Sequence, residues 1–195
     1  MRLLNCLVNR HWPQRVLGIS KLSAFEFLKT THPDLSNNQL LSRLRKQGID
    51  PVEILAEHHR QLACEKELAR VLRNLDVSYR IMKRIDNTMI SRCVDWADLV
   101  IAIGRNGTFL LASKLITNNK TPILGINPHP GGNNTFTLPI ECNGDIETIF
   151  ERLRAGDYTI LMRSRIHTIM TGEGLYEQTF HVHKKSRMQG EKRVE

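Results

Sequence analysis

The chain has 195 residues, 41% of them hydrophobic, and this size and composition predict one globular domain with tails. Its net charge of +8 favours anionic partners such as nucleotides, nucleic acids or acidic membranes without choosing among them. The four cysteines are scattered without zinc spacing, which predicts free thiols in a reducing compartment, and no apolar run approaches the ~18 residues needed to cross a bilayer, so we expect a soluble protein.

The N-terminal segment, residues 1–14, combines arginines with apolar residues, and no Asp or Glu precedes Glu26. This composition is typical of a mitochondrial presequence and predicts a mitochondrial location. A short basic tail in a cytoplasmic protein is the alternative, and the composition does not distinguish the two.

The first half of the chain predicts alternating strands and helices. The apolar run RVLGIS, Arg15–Ser20, is typical of a buried strand, and 36–46 has the leucine spacing of a helix. A long helix is predicted from Asp50 to about Asn74, with Asp50 as its cap and Glu53 completing a capping box. His58 and His59 point in different directions on this helix, so we expect both at the surface.

The second half continues the alternation. Strands are predicted at 77–81, 99–103 and 122–126, and a further one at 164–170. Helices are predicted at 86–93, 109–116 and 145–155, with Gly156 ending the last one. The polar tail that follows is expected to be solvated, because no aromatic platform or recognition motif accompanies its basic residues; we therefore expect no nucleic-acid partner.

This order of elements predicts an α/β domain with a Rossmann-like, doubly wound parallel sheet. The domain is predicted to span 15–171, between the basic segment 1–14 and a basic polar tail at 172–195.

The loop GRNGT, 104–108, lies between the buried strand 99–103 and a helix. Ligands of open α/β sheets bind outside the carboxyl ends of the strands, where glycines expose backbone N–H groups and a helix N-terminus attracts anions. The loop therefore predicts phosphate binding, and Thr108 is a candidate cap or phosphate ligand. The spacing matches neither the Walker loop nor the dinucleotide fingerprint, so a simple tight turn remains the alternative.

The segment WADLVIAIGRNGTFLLASKL, Trp96–Leu115, resembles the signature of the NAD kinase family, whose loop reads Gly-Gly-Asp-Gly-Thr, and is most similar to the mitochondrial NAD kinases. The resemblance extends over about 15–171. It implies transfer of the terminal phosphate of ATP to the 2′-hydroxyl of the adenosine ribose of NAD, with a divalent metal (Mg²⁺) accompanying ATP. It implies that the loop positions Gly104, Arg105, Gly107 and Thr108 contact nucleotide, and that Asn106 occupies the position of the catalytic aspartate.

Two loop positions depart from the family pattern. Asn106 is nearly isosteric with aspartate but cannot take a proton at neutral pH, and a general base contributes roughly 10²- to 10⁴-fold in rate. Arg105 replaces a glycine, which favours disruption through backbone strain if φ is positive there and through intrusion on the phosphates; pairing with phosphate is the alternative. We also find no counterpart of the family's second, β-rich domain, whose absence is expected to expose apolar surface and favour a homodimer or a heterodimer with a full-length kinase.

Three further polar residues are candidates at the same end of the sheet. Asn127 follows a strand and is expected either to position the nucleotide, as the resemblance implies, or to form an Asn turn. Lys21 follows the first strand and would reach a phosphate, although a solvated lysine is favoured. His129 is expected to be a surface residue rather than a base.

Two functions therefore compete. The first is an NAD kinase impaired by Asn106, and the second is a non-catalytic protein that binds nucleotide or pairs with a full-length kinase.

Overall fold

The computed structural model describes residues 12–83, 87–129, 131, 135–138 and 145–166. Over these residues the elements are, in order, β1 (Arg15–Ser20), α1 (Ala24–Thr31), α2 (Asn37–Lys46), α3 (Pro51–Asn74), β2 (Ser78–Lys83), α4 (Asn87–Val94), β3 (Leu99–Ile103), α5 (Asn106–Leu115), β4 (Ile123–Ile126) and α6 (Ile146–Ala155). The predicted α/β class is confirmed.

The sheet has four strands in the order β2-β1-β3-β4, and every neighbouring pair is parallel. All five residues of β3 are buried, as a continuous apolar run predicts for a strand covered on both faces. Val16 of β1 pairs with Leu99 of β3, which places the carboxyl ends of these two central strands side by side.

Helices cover both faces of the sheet, and alternate residues of each strand point to opposite cores. One core joins Val16, Leu99 and Ile101 to residues of α3 and α6, including Leu68 and Phe150. The other core joins the intervening strand residues to α4 and α5; its buried members are Leu17, Ile19, Ile90, Cys93, Val94, Ala97, Val100, Ala102, Ala112 and Ile116. The doubly wound architecture is therefore confirmed.

The strand order reverses direction at β1. The chain passes from β1 to β2 on one side of the sheet and then crosses back to β3 on the other side. Doubly wound sheets bind ligands in the crevice at such a switch point, outside the carboxyl ends of the strands. The fold therefore directs attention to the residues that follow β1 and β3.

Helix α3 begins as predicted, but its predicted capping box does not form. The Asp50 side chain accepts a hydrogen bond from the backbone N–H of Val52, at 2.9 Å. Glu53 instead forms an ion pair with Arg60 at 2.7 Å, two helical turns further along. A charged partner on the same face has replaced the reciprocal bond expected of Glu53.

Helix α1 was not predicted, although its sequence contains a helix start. The Ser23 side chain accepts a hydrogen bond from the Glu26 backbone N–H, and the Glu26 carboxylate accepts one from the Ser23 backbone N–H. This capping box is the local signal that identifies the element.

The compact unit that contains these elements ends at Tyr158. Gly156 ends α6 in the left-handed conformation, with φ 70°, as predicted. A second unit begins at Thr159, and its described residues, 159–166, form no helix or strand. The strand predicted at 164–170 is thus wrong for 164–166, because alternation alone does not supply the neighbouring strand that pairing requires; the remainder lies outside the described residues.

Several predictions fall wholly or partly outside the described residues. These are the presequence within 1–14, the tail 172–195, Cys6 and Cys142. Cys64 and Cys93 are free thiols. No helix within the described ranges is long and apolar enough to span a membrane.

Candidate functional site

The turn after β3 is held by backbone hydrogen bonds to both neighbouring strands. The N–H of Gly104 donates to the carbonyl of Ile126 at 2.8 Å, and the N–H of Lys21 donates to the carbonyl of Ile103 at 2.9 Å. Gly104 has φ +146°, and a Cβ there would lie 2.7 Å from the Thr108 hydroxyl oxygen. Both the backbone conformation and the lack of space require glycine.

Helix α5 begins at Asn106, so the loop predicted to extend to Thr108 is shorter than expected. Arg105 is the N-cap residue, and its side chain makes no capping hydrogen bond. Thr108 occupies the third helical position and is buried, which makes its predicted role as the cap wrong. The turn is completed by Gly104 and Arg105, so helical geometry begins at Asn106. The first turn of α5, with the positive end of its dipole, consequently points out of the carboxyl end of the sheet.

Arg105 does not carry the backbone strain expected for a side chain replacing glycine. Its φ is −77° and its ψ 178°, an extended conformation open to any residue. Its side chain is exposed. The positive φ of the turn belongs instead to Gly104.

Asn106 links the start of α5 to the segment that follows β4. Its side-chain oxygen accepts a hydrogen bond from the backbone N–H of Phe136, at 3.4 Å. The ring of Phe136 stacks on Phe109 of the same helix, with centroids 5.7 Å apart. Asn106 is half-buried, so its amide lies in a defined position.

Asn127 and His129 follow β4 and are both buried. The Asn127 side-chain oxygen accepts a hydrogen bond from the His129 backbone N–H at 3.1 Å, which is the Asn turn considered as its structural role. His129 is 1% exposed, so the surface location expected for it is wrong. It is buried because its imidazole lies against polar residues of α3, a pairing that the local sequence does not reveal.

The imidazole of His129 contacts two residues of α3. Its Nε2 lies 3.0 Å from the Gln61 side-chain oxygen and 3.9 Å from the Glu57 carboxylate. Burial lowers the pKa of His129 to about 4, assisted by the charges of Lys21 and Arg105 and opposed by Glu57. The imidazole is therefore neutral at physiological pH.

Lys21 is not the solvated lysine favoured from the sequence. Its ammonium forms an ion pair of 2.6 Å with Glu57, and both side chains are largely buried. Burial alone would raise the pKa of Glu57, but the hydrogen bond and charge of Lys21 outweigh it, so the pKa is lowered. A paired carboxylate holds Lys21 directly after β1, next to the Gly104 turn.

A second polar cluster lies at the ends of β1 and β2. Lys83 forms ion pairs with Glu65 at 2.6 Å and with Glu26 at 3.0 Å. The Nδ1 atom of His58 lies 2.8 Å from the Ser23 hydroxyl, and His58 is half-buried. The surface location expected for His58 is thus only partly correct, because Phe25 of α1 packs against its ring, whereas His59 is exposed as predicted.

Comparison with known proteins finds NAD kinases as relatives. It is 28% identical over 166 residues to the human protein named NAD kinase 2, mitochondrial, an alignment that covers 84% of this chain and 37% of the relative. It is 36% identical over 90 residues to an NAD kinase of Natronomonas pharaonis, covering 46% of this chain and 30% of the relative. No family model matches the chain.

The chain resembles the NAD kinase family over most of its length. It spans about two fifths of the length of the mitochondrial relatives that it matches. The resemblance seen in the sequence is thereby confirmed.

Three predicted residues meet at the carboxyl end of the sheet. Lys21 contacts Gly104 closely enough that a Cβ on the glycine would lie 3.1 Å from the lysine Cβ. Gly104 in turn is hydrogen-bonded to the last residue of β4, directly before Asn127. Arg105, Asn106, Gly107 and Thr108 follow in the same turn and first helical turn.

Two residues of this region were missed in the sequence, namely Glu57 and Gln61. They lie four positions apart on α3, on the stripe that continues through Glu65 and Leu68 to Leu72. Polar residues that extend the buried face of a helix are the signal that would have identified them.

Proposed function

We propose that this chain provides the nucleotide-binding wall of an NAD kinase site, in which ATP phosphorylates the adenosine ribose 2′-hydroxyl of NAD. The observation that carries the proposal is the Gly104 turn at the topological switch point, followed directly by the N-terminus of α5. This geometry suits a phosphate group, because backbone N–H groups and the helix dipole point toward the ligand. The names of the relatives supply the identity of the nucleotides.

The positively charged side chains of the site support the same assignment. Lys21 lies next to Gly104, and Arg105 is exposed at the start of α5. Because Arg105 adopts an unstrained backbone conformation, its guanidinium is available to pair with a nucleotide phosphate. Asn127 completes the site at the end of β4.

Divalent metal is proposed to enter with ATP rather than with the protein. Within the described ranges, no three His, Cys, Asp or Glu residues are grouped closely enough to hold a metal ion. Asn106 supplies an amide oxygen but no negative charge. This set of side chains fits a cation that is held chiefly by the phosphates of ATP. Such a cation would neutralise the negative charge of the phosphates during transfer.

Asn106 is proposed to impair the transfer step. Its amide keeps the hydrogen bond to Phe136 that a carboxylate oxygen would also accept, but it cannot remove the ribose proton. We expect Asn106→Asp to raise the rate of NADP formation by about 10²- to 10⁴-fold. Asn118→Asp is the matched control, because Asn118 is an exposed residue whose side-chain oxygen only caps the backbone of Lys120 and Thr121.

The test combines turnover with binding. NADP formation from NAD, ATP and Mg²⁺ is measured for the wild-type chain and both variants, alongside calorimetric titration with ATP and with NAD. The proposal is supported if the wild-type chain binds nucleotide with little turnover and if the rate of NADP formation rises in Asn106→Asp but not in Asn118→Asp. Wild-type turnover equal to that of Asn106→Asp refutes the impairment, and no binding of either nucleotide refutes the site.

The second candidate is a non-catalytic protein that binds nucleotide as a homodimer or in association with a full-length NAD kinase. The neutral side chain at position 106 favours it, since Asn106 can accept hydrogen bonds but cannot act as the base. Sedimentation of the chain alone and mixed with a full-length relative measures this association. We propose a mitochondrial location on the names of the relatives, and imaging of a tagged full-length chain tests it.

A further inference from the structure

Gln61 connects the three chain segments that form the candidate site. It is fully buried on α3 and donates hydrogen bonds from Nε2 to the Ser20 hydroxyl at 2.7 Å and the Ile103 carbonyl at 3.1 Å. Its side-chain oxygen faces Nε2 of His129 at 3.0 Å. The contacted residues end β1, end β3 and follow β4, so each lies within two positions of Lys21, Gly104 or Asn127.

These contacts fix the orientation of the Gln61 amide. A backbone carbonyl only accepts hydrogen bonds, so the atom facing Ile103 must be the NH₂ group. The hydrogen bonds of the Ser20 hydroxyl support the same orientation of the amide. The hydroxyl donates its hydrogen to Glu65, so its oxygen can only accept from the Gln61 NH₂ group. The carbonyl oxygen of Gln61 must then face His129.

The orientation of Gln61 in turn fixes the tautomer of His129. An amide oxygen accepts, so Nε2 of the imidazole must carry the hydrogen. Nδ1 is then an unprotonated acceptor, and among the described residues it has no hydrogen-bond partner. The neighbouring Glu57 is paired with Lys21 and lies too far from Nε2, at 3.9 Å, to replace Gln61.

We propose that Gln61 is a positioning residue, which locks His129 as its Nε2–H tautomer and holds the ends of β1, β3 and β4 in the arrangement that binds nucleotide. This inference rests on the proposed function of the same site. Gln61 acts through the backbone of Ile103 and the ring of His129, and it does not touch the ligand. A single fully hydrogen-bonded amide suits this role, because a site must be held within a fraction of an ångström to bind well.

The first measurement is the tautomer. In the ¹⁵N-histidine NMR spectrum of the wild-type chain, His129 is assigned by its loss in His129→Gln. We expect the Nε2–H form in the wild type and in Gln61→Glu, whose carboxylate still accepts from Nε2. We expect a mixture of tautomers in Gln61→Met. The Nδ1–H form in the wild type overturns the inference.

The second measurement separates positioning from stability. ATP and NAD affinities are determined for folded Gln61→Met and for Leu68→Ala. The second variant creates a cavity on the same buried face of α3, in the core that also contains Ile103, but it removes none of the hydrogen bonds that Gln61 makes to the three segments. We expect Gln61→Met to weaken nucleotide binding by at least about tenfold, while Leu68→Ala lowers stability and leaves affinity unchanged. Gln47→Met, an exposed change of the same kind, should alter neither property.

The outcomes are distinct. If the wild-type chain binds nucleotide and Gln61→Met binds it equally well, the inference alone is overturned. The same holds if Leu68→Ala weakens binding as much as Gln61→Met does. A wild-type chain with the expected tautomer that binds neither ATP nor NAD refutes the proposed function, and with it the role of Gln61 in binding.

Discussion

The burial of neutral His129 predicts a specific sensitivity of the fold to acid. The pKa of its imidazole is lowered from 6.5 to about 4, chiefly by burial. The unfolded chain therefore binds a proton at this residue over a pH range in which the folded chain does not. The contribution of the neutral His129 imidazole to the free energy of unfolding is therefore present above pH 6.5. It is lost progressively as the pH falls from 6.5 toward 4.

The magnitude follows from proton linkage. One pH unit between the two pKa values corresponds to about 1.4 kcal/mol, so lowering the pH from 7.5 to 5 should remove about 2 kcal/mol of the free energy of unfolding. Glu57 stays ionised over this range, because its ion pair with Lys21 lowers the pKa of its carboxyl group. His58, whose pKa is also lowered mainly by burial, adds a contribution of the same sign.

Urea unfolding at several pH values between 7.5 and 5 measures the effect, with His129→Gln as the comparison. Glutamine keeps an N–H that can donate to Gln61 but does not titrate. The difference between the two pH profiles isolates His129, because His58 contributes equally to both. Parallel profiles would refute the reasoning, as would an NMR titration that places the His129 midpoint above pH 6.

Two further substitutions and one chemical modification test the packing of the fold. Gly104→Ala should destabilise the fold by about 1–3 kcal/mol in urea unfolding, because the new Cβ meets the Thr108 side chain; Gly48→Ala, also at positive φ but with nothing within 4 Å, reports backbone strain alone, and equal losses would contradict the steric argument. Leu68→Ala should cost about 2–5 kcal/mol because its side chain is fully buried, whereas a loss below 1 kcal/mol in the same assay would show that the core collapses around the cavity. Cys64, whose pKa is raised to about 12 mainly by burial, should be alkylated by iodoacetamide far more slowly in the folded than in the unfolded chain, as mass spectrometry of its peptide will show.

Elements with a strong local signal were predictable from the sequence. The apolar run of β3 gave a strand buried on both faces, Asp50 and Pro51 placed the start of α3, and Gly156 placed the end of α6. In each case the deciding interaction lies within a few residues of the pattern. The alternation of these elements was then sufficient to predict the parallel sheet.

The environments of individual polar residues were not predictable in the same way. His129 looked like a loop residue at the surface, yet it is buried against Gln61, which lies 68 positions earlier in the chain. Lys21 looked solvated, yet its partner Glu57 is 36 positions away. Such pairings depend on which elements become neighbours, and strand order is information that local periodicity does not contain.

The strand order also determines when the chain can begin to fold during synthesis. β1 is made before the other strands of this sheet and has five buried residues. It lies between two partners that are both made much later: Arg15 pairs with Ser78, and Val16 with Leu99. A ribosome must therefore release all of α3 and both later strands before the centre of the sheet can close. Until then an apolar strand is exposed on both edges, so folding should be slow and should benefit from a chaperone that binds extended hydrophobic segments.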